Sequence, residues 1–392
     1  MKKILFHSLT IPPDKVSTGM LVAEIASGFK DRGVDVEILA STPQYNFDSN
    51  VDSKVELKKI SKNLYESTYK NVKVFHISSK KRSYSDSKRI FQWLKFHYHS
   101  KKYLFKHRNE YSHIFLFSYP PTMNIVGIFI SKFLKIKLIY SYWELYPEIA
   151  EKVNRIKNKF IVSLFKSIDT FALKSADSVV LNSEELEEYI KNERLVENNL
   201  LTINHFSPFL ELEEGPNINK KSIFYAGNIG KPQNIPLFVN YFNESLSNEW
   251  TLNIYGSGEE YKHVKSLENE KVVVNEYTER DKLIELTSDI PFALVSLDPN
   301  LTIEGFPGKT FDYLSMNKII LCFANENSAV ARFIEKYKVG INIDPKNINN
   351  LGDVIEKLNS AHFIEESPNN VAILNKNEIN KEKVIDKYLS LI

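Results

Sequence analysis

Cysteine is nearly missing from this sequence of 392 residues, in which Cys322 is the single example. One thiol forms neither an internal disulfide nor a thiolate metal site, so both kinds of cross-link are excluded, and we expect Cys322 to be buried in its apolar run.

Long apolar runs are also missing. Residues 123–140, an apolar stretch, contain three lysines, whereas a membrane span needs about 20 mostly apolar residues. The N-terminal MKKILFHSL lacks the length and the cleavage site of a signal peptide and predicts a first strand.

A strong excess of charge of one sign is missing too. The formal net charge is +2, which gives a nucleic-acid-binding role no overall support. Hydrophobic residues make up 43% and charged residues 26% of the chain, the composition of a globular protein. Because single cores stop growing near about 250–300 residues, this length predicts two domains.

Strand-like runs alternate with helix-like stretches, which is typical of a parallel, doubly wound α/β sheet. One series comprises KKILFHS, VDVEILAS, VKVFHIS, HIFLFS, KLIYSY and SVVLNS, and a second comprises SIFYAG, WTLNIYG, KVVVNEY, FALVSL, KIILCF and GINI. Residues 207–222 contain two prolines and a glycine among polar residues, which predicts a linker. We therefore expect two Rossmann-like domains, over 1–206 and 223–372, facing across a cleft where ligands bind. Residues 366–370, ESPNN, are typical of a loop, and residues 373–392 predict a C-terminal helix that packs back on the first domain.

The loop YAGNIGKPQN follows the first strand of the second series. Gly227 and Gly230 would let the backbone approach a ligand, and Lys231 adds a positive charge, so the loop could face a phosphate. An ordinary glycine turn explains the same residues. The Gly256-Ser257-Gly258 turn lacks the rest of a dinucleotide fingerprint and is interpreted as structural.

The most informative stretch is IEGFPGKTFDYLSMNKIILCF, in which Glu304 and Asp312 stand eight positions apart around a Gly-Phe-Pro-Gly-Lys turn. If a helix begins after the turn, its backbone N–H groups and Lys309 could hold a diphosphate. Asp312 could then accept hydrogen bonds from ribose, and Glu304 could reach sugar hydroxyls. A solvated helix start with ordinary first-turn acids is the alternative.

This E-x7-D spacing resembles the E-x7-E motif of the family-four retaining glycosyltransferases, which have the GT-B fold. Other segments resemble that family as well: VAEIASGFKDRGVDVEILASTPQYN, FLFSYPPT, YSYWELYPEIAEK (its D-x-W-P-E segment) and ADSVVLNSEELEEYI. The resemblance covers nearly the whole chain. It is strongest toward the branch that builds O-antigen and capsule polysaccharides, which includes N-acetylfucosaminyl transferases.

The resemblance implies roles for individual residues. Glu304 takes the place of the glutamate that contacts the donor sugar, and Asp312 the place of the one that contacts ribose. The family's phosphate-loop arginine and lysine fall on Asn228 and Gln233, which leaves Lys309 and Lys231 as the expected phosphate charges. The D-x-W-P-E segment places its acid at Glu144, followed by Pro147 and Glu148. The expected catalytic residues are Glu304, Lys309 and Glu144, and the expected donor-binding residues are Gly227, Asn228, Gly230, Lys231, Gln233, Gly308, Lys309, Thr310 and Asp312.

Two N-terminal residues are expected to face the acceptor. Gly19 is the one glycine that remains of the pair that relatives carry after the first strand, and His7 ends that strand. His7 could bind an acceptor or sugar, or be a satisfied structural group. No histidine pairs with carboxylates at metal-binding spacing and no D-x-D motif is present, so metal-independent chemistry without a cofactor is expected.

The segment from Lys80 to Arg108 contains ten lysines and arginines but a single acid, Asp86, with aromatic residues interleaved. A basic aromatic helix suits the headgroup layer of an anionic membrane. The residues expected to face the membrane are Lys88, Arg89, Trp93, Lys95, Lys101 and Lys102. Nucleic acid is the rival partner, although no nucleic-acid motif accompanies the patch, and a plain solvated helix is the simplest alternative.

Together these features predict a hexosyl- or N-acetylhexosaminyltransferase. It would move a sugar from a nucleotide donor to a polyprenyl-diphosphate-linked saccharide at the cytoplasmic face of the cell membrane. The resemblance implies that the donor carries UDP and that the anomeric configuration is retained. A sugar-nucleotide epimerase of the same architecture is one rival, which the basic helix argues against. A catalytically silent binding protein is another, which Asp312 and the missing arginine make plausible.

Overall fold

The structure is a computed structural model that describes residues 2–14, 16–44, 56–81, 83, 85–152, 156–197, 199–208, 220–245, 249–347, 352, 357–358 and 360–392. The chain divides into two compact units. Unit 1 comprises residues 1–148, 156–208 and 381–392, and unit 2 comprises residues 149–155 and 209–380. Most of the expected linker, residues 209–219, lies outside the described residues.

Unit 1 is built on one mixed sheet. Its described strands are β1 (Lys3–His7), β2 (Val36–Ser41), β3 (Lys58–Ser61), β4 (Leu64–Tyr69), β5 (Val72–Ile77), β6 (Tyr111–Phe117), β7 (Lys137–Ser141), β8 (Ser178–Leu181) and β9 (Leu200–Thr202). They lie in the order β3-β4-β5-β2-β1-β6-β7-β8-β9. The pairs β3–β4 and β4–β5 are antiparallel, and the other pairs are parallel. The six predicted strands of the first series are all present, and β3, β4 and β9 are additional.

Helices connect the strands of this sheet. They are α1 (Ser17–Asp31), α2 (Asp86–His107), α3 (Asn124–Phe129) with a following π-helical turn (Ile130–Leu134), α5 (Lys159–Ser175) and α6 (Glu184–Arg194). The short helix α4 (Glu148–Lys152) begins at the last residue of this stretch of unit 1, and its other residues belong to unit 2. Ser183 caps α6 by accepting a hydrogen bond from the backbone N–H of Leu186 at 3.1 Å. Among the described residues, none of the helices is both long enough and apolar enough to cross a bilayer.

Unit 2 has a sheet in which every described pair is parallel. Its strands are β10 (Ser222–Asn228), β11 (Thr251–Ser257), β12 (Val272–Asn275), β13 (Phe292–Ser296), β14 (Ile319–Phe323) and β15 (Gly340–Ile343), in the order β12-β11-β10-β13-β14-β15. Its helices are α7 (Ile235–Ser245), α8 (Tyr261–Ser266), α9 (Arg280–Thr287), α10 (Lys309–Ser315), α11 (Ala329–Tyr337) and α12 (Ala361–Asn377). The second strand series is therefore found as predicted, with Cys322 fully buried in β14.

The C-terminal segment differs from the single helix expected over 373–392. Residues 373–377 end α12, which belongs to unit 2 and runs through Pro368. A separate helix, α13 (Lys381–Leu389), belongs to unit 1. Its residues Val384, Ile385 and Tyr388 are buried in the unit 1 core. Gly28 on α1 makes room for this contact, because a Cβ there would lie 2.4 Å from a methyl carbon of Ile385.

Candidate active site

The glycine loop at the carboxyl end of β10 lies directly beside Lys309. Gly227 has a φ of +138°, and a Cβ there would lie 2.9 Å from Lys309 Nζ. A side chain is also excluded at Gly256 on the neighbouring strand, since a Cβ there would lie 2.0 Å from the Gly227 carbonyl oxygen. Packing between the strands therefore explains Gly256, whereas Gly227 allows the backbone to lie against the Lys309 ammonium.

Lys309 ends in a buried ammonium group for which no described residue accepts a hydrogen bond. Its Nζ lies 3.8 Å from the centroid of the Tyr225 ring. Burial lowers the pKa of Lys309 to about 7, although Asp312 partly offsets the effect. A buried cation that lacks a hydrogen-bonding partner is costly. The site is therefore favourable for an incoming anion that would pair with this nitrogen.

Asp312 lies on the same short helix, α10, and faces an arginine that the sequence did not point to. Arg280 at the start of α9 places its guanidinium 3.9 Å from the Asp312 carboxylate. Burial lowers the pKa of Arg280 to about 10, with Asp312 acting in the opposite direction. Arg280 and Asp312 are separated by a helix, a strand and two loops, so no local motif could have paired them.

Tyr313 fixes the distance between the glycine loop and α10. Its hydroxyl accepts a hydrogen bond from the Ala226 N–H at 2.9 Å and lies 3.0 Å from the Ala226 carbonyl oxygen, to which it donates. The residue after Asp312 thus ties down the residue before Gly227. The sequence does not reveal this contact, because a buried tyrosine in a helix has the same pattern as any core residue.

Glu304 is only 3% exposed, and both of its carboxylate oxygens are occupied. One accepts a hydrogen bond from the Thr302 N–H at 2.7 Å, and the other forms an ion pair with Lys152. Lys152 also donates to the Thr302 hydroxyl at 3.0 Å. Lys152 comes from α4, directly after the D-x-W-P-E-like segment, and was not anticipated. A sugar hydroxyl that bound Glu304 would have to share the carboxylate with Lys152 or displace Lys152 from it.

A polar pocket of about 250 Å³ lies next to the glycine loop. Its lining residues are Lys152, Lys231, Asn234, Pro236, Glu260, Asp298 and Asn300. Asn228 and Gln233, which stand where the resemblance expects cations, bond to each other through their amides at 3.0 Å. The Gln233 amide oxygen also accepts from the Gly230 N–H at 3.3 Å. These two residues shape the loop, and the cations of the pocket are Lys231 and Lys152.

The remaining expected site residues lie in unit 1. Glu144 is exposed by the accessible surface of the whole residue, yet the protein groups around its carboxyl raise its pKa through desolvation. Glu148 is buried and forms a salt bridge with Arg194 at 2.7 Å, which anchors the start of α4.

His7, one of the two residues expected to face the acceptor, is fully buried: its Nδ1 lies 2.9 Å from the Leu39 carbonyl oxygen, and burial lowers its pKa to about 4. This burial favours the structural interpretation of His7 over acceptor binding. At Gly19 the backbone of α1 packs closely against the backbone of Thr10, because a Cβ at position 19 would lie 2.8 Å from the Thr10 carbonyl oxygen.

The basic segment forms helix α2, whose inner face is buried through Phe96, His97, Ser100, Tyr103 and Leu104. Trp93 differs from the expectation that it faces a membrane. It is half-buried, with its ring edge-on to Tyr119 at a centroid distance of 6.4 Å and with the Arg89 guanidinium 5.4 Å from its centroid. The outward aromatic residues are instead Phe91, Tyr98 and Phe105, which are 70%, 57% and 55% exposed.

No protein-family model matches this chain, and no curated protein sequence matches it either. Among solved structures, sucrose-phosphate synthase from Thermosynechococcus elongatus aligns with a TM-score of 0.75 and 13% identity, over 100% of this chain and 98% of that chain. WaaG, a glycosyltransferase involved in lipopolysaccharide biosynthesis, aligns with a TM-score of 0.66 and 12% identity over 99% of each chain. Anabaena HepE in complex with UDP and glucose aligns with a TM-score of 0.66 and 12% identity, over 100% of this chain and 99% of that one. These are glycosyltransferases of the GT-B architecture, and the chain has the GT-B fold with two Rossmann-like domains, as predicted.

Proposed function

We propose that this chain is a glycosyltransferase that moves a sugar from a nucleotide donor to a lipid-linked saccharide. The observation that carries the proposal is the buried Lys309 ammonium beside the Gly227 backbone, with Asp312 one helical turn further on. An anionic diphosphate would supply the partner that Lys309 lacks. The UDP and glucose in the HepE structure are a precedent on the same fold.

In the proposed reaction the diphosphate leaves the anomeric carbon, and the acceptor hydroxyl bonds to that carbon on the same face. The carbon–oxygen bond to phosphate breaks, and the hydroxyl proton passes to the departing phosphate oxygen. Lys309, with Lys231 near the loop, would stabilise the charge that develops on the diphosphate, so no metal ion is required. Glu304 would orient the sugar through its hydroxyls, and Asp312 would hold the ribose.

The proposed donor is a UDP-sugar with a hexosyl or N-acetylhexosaminyl group. The proposed acceptor is a polyprenyl-diphosphate-linked saccharide of O-antigen or capsule assembly, reached by peripheral attachment at the cytoplasmic face of the membrane. The basic outward face of α2 supports this attachment, since cations with interleaved aromatic residues suit anionic headgroups.

The test is a turnover assay with a panel of UDP-sugars in EDTA, with and without a prenyl-diphosphate-linked acceptor. Glycosyl transfer that requires the acceptor supports the proposal. Release of an epimerised sugar nucleotide without acceptor would favour an epimerase. UDP binding without turnover on any donor and acceptor pair would indicate a catalytically silent binding protein.

A further inference from the structure

A cavity of about 680 Å³ opens in unit 1 where the chain passes from β5 into α2. We call it the four-lysine cavity, after Lys80, Lys81, Lys88 and Lys95 in its wall. Its other lining residues are Ser78, Ser79, Ser83, Ser87, Phe91 and Gln92. It lies beyond the carboxyl end of β5, which is parallel to β2, and this is the side of an open α/β sheet on which ligands bind.

Side-chain hydrogen bonds hold the walls of the four-lysine cavity in place. The Gln92 amide donates to the Lys81 carbonyl oxygen at 3.0 Å and accepts from the Ser83 N–H at 3.3 Å, which ties the loop to α2. On the other side, Thr42 and Ser79 exchange hydrogen bonds at 2.9 and 3.1 Å. These bonds hold Ser79, Lys81 and Ser83, three residues of the cavity wall, against their neighbours.

The chemistry of the four-lysine cavity selects an anion. None of its lining residues is a carboxylate, and no described carboxylate forms an ion pair with any of the four lysines. Each ammonium has three donors and no acceptor. A group with several anionic oxygens, such as a diphosphate, can accept hydrogen bonds from several of these lysines at once.

An apolar stripe begins at the rim of the same cavity. Phe91 lines the cavity and is 70% exposed, and Leu94, Tyr98 and Phe105 follow on α2 with exposed fractions of 47%, 57% and 55%. Spacings of three, four and seven residues put these side chains on one face of the helix. Exposed apolar surface of this kind marks a binding site. An ion would use the cavity alone, whereas an amphiphile would use both the cavity and the stripe.

We propose that the four-lysine cavity binds the diphosphate of a prenyl diphosphate amphiphile, with the prenyl chain along the stripe from Phe91 to Phe105. Only the identification of this amphiphile as the acceptor's anchor rests on the proposed function. The site differs from general attraction to a charged membrane because it is saturable, takes one headgroup, and depends on the lysines that line the cavity.

The test is calorimetric titration of the full chain with farnesyl diphosphate below its micellar concentration. Two variants of the same helix carry the same change in charge: K88Q/K95Q alters the cavity, and K101Q/K102Q alters α2 outside it. Glutamine is a good helix former, so both should fold. We expect stoichiometric binding that weakens about tenfold or more in K88Q/K95Q and by less than about threefold in K101Q/K102Q.

Further ligands distinguish the binding of the diphosphate headgroup from the binding of the prenyl chain. Inorganic pyrophosphate should compete with farnesyl diphosphate for the site, whereas farnesol should not. The F91A substitution should weaken the binding of farnesyl diphosphate but leave the binding of pyrophosphate unchanged. Equal weakening by the two lysine pairs, absence of saturable binding, or stronger competition by a single-stranded oligonucleotide than by pyrophosphate would overturn the proposal. UDP titration of the same samples is independent: loss of UDP binding with intact farnesyl diphosphate binding contradicts the proposed transfer and leaves this site standing.

Discussion

Lys309 Nζ lies 3.8 Å from the centre of the Tyr225 ring, and no described residue accepts a hydrogen bond from it. The aromatic face gives the ammonium a favourable but incomplete replacement for water. Because burial lowers the pKa of Lys309 to about 7, the group is largely neutral above that pH until an anion arrives.

UDP binding should therefore take up a proton. At pH 8 the free Lys309 is mostly neutral, and a bound diphosphate raises its pKa, so binding should take up close to one proton (about 0.9 from the shifted pKa). Calorimetry in buffers with different ionisation enthalpies measures this number. The uptake should vanish in K309M. Uptake that persists in K309M would place the protonation at another residue.

The stability of the unliganded protein should respond to the same lysine with a definite sign. The folded-state pKa of Lys309 lies below the ordinary lysine value of 10.5, so the cost of charging Lys309 is absent above about pH 10.5, grows as pH falls, and is complete below about pH 7. K309M should unfold at a higher temperature than wild type at pH 7, by about 2–4 °C. The difference should shrink toward pH 10. A variant that is less stable at pH 7 would show that the lysine is not strained by burial.

Glu304→Gln should preserve the fold, because a glutamine oxygen can still accept from the Thr302 N–H. Turnover should fall by about tenfold or more, since a charged acceptor of sugar hydroxyls is lost. K152Q is the matched control, because it breaks the same ion pair while leaving the carboxylate. Near-normal turnover of Glu304→Gln would show that the charge of Glu304 is not needed for transfer, and an equal loss in both variants would mean that Glu304 acts only through Lys152.

Asp312→Ala should mainly weaken nucleotide binding, by about tenfold, because a ribose hydroxyl would lose its acceptor. Asp281→Ala is a suitable control: Asp281 is exposed on α9 and also lies in the electrostatic field of Arg280. Titration with UDP compares the two variants. Unchanged affinity in Asp312→Ala would show that the E-x7-D interpretation is wrong.

Attachment to anionic vesicles should depend on the cations of α2. Replacing Lys88, Arg89, Lys95, Lys101 and Lys102 by Gln should release the protein, since each near-surface cation contributes on the order of 1 kcal/mol. Raising the salt concentration should weaken the binding of wild type only in part, because Phe91, Tyr98 and Phe105 add an apolar contribution. Co-sedimentation across a salt series measures both effects. Equal binding to neutral and anionic vesicles would refute electrostatic docking through α2, and equal binding of wild type and variant would identify the segment as an ordinary solvated helix.

The sequence predicted the parallel strands because each is a short apolar run between turn residues, as in β13 and β14. It did not predict β3, whose four residues are all exposed and carry no apolar pattern. The proline and asparagines of residues 366–370 favoured a loop, but these residues continue α12, whose Val371 and Leu374 are buried in the core of unit 2.

At the candidate site, the sequence pointed to residues within one motif and missed residues that reach it from elsewhere. Gly227, Lys309 and Asp312 carry a local signal of turn, charge and spacing. Arg280 and Lys152 reach Asp312 and Glu304 from distant segments, and only the fold brings them there. For His7 the sequence left acceptor binding and a structural role open, and only the fold shows that the side chain is fully buried, which favours the structural role.

The place of α13 in unit 1 has a consequence for biosynthesis. Residues 381–392 complete a core whose sheet is encoded in the first half of the chain, and the Arg32 side chain on α1 binds Asp386 and Glu382 of this helix at 2.7 and 2.8 Å. During translation, the ribosome therefore releases the whole of unit 2 before Val384, Ile385 and Tyr388 become available to cover α1. We expect the nascent unit 1 to wait with an exposed apolar groove, which makes it a substrate for chaperones until the last helix arrives.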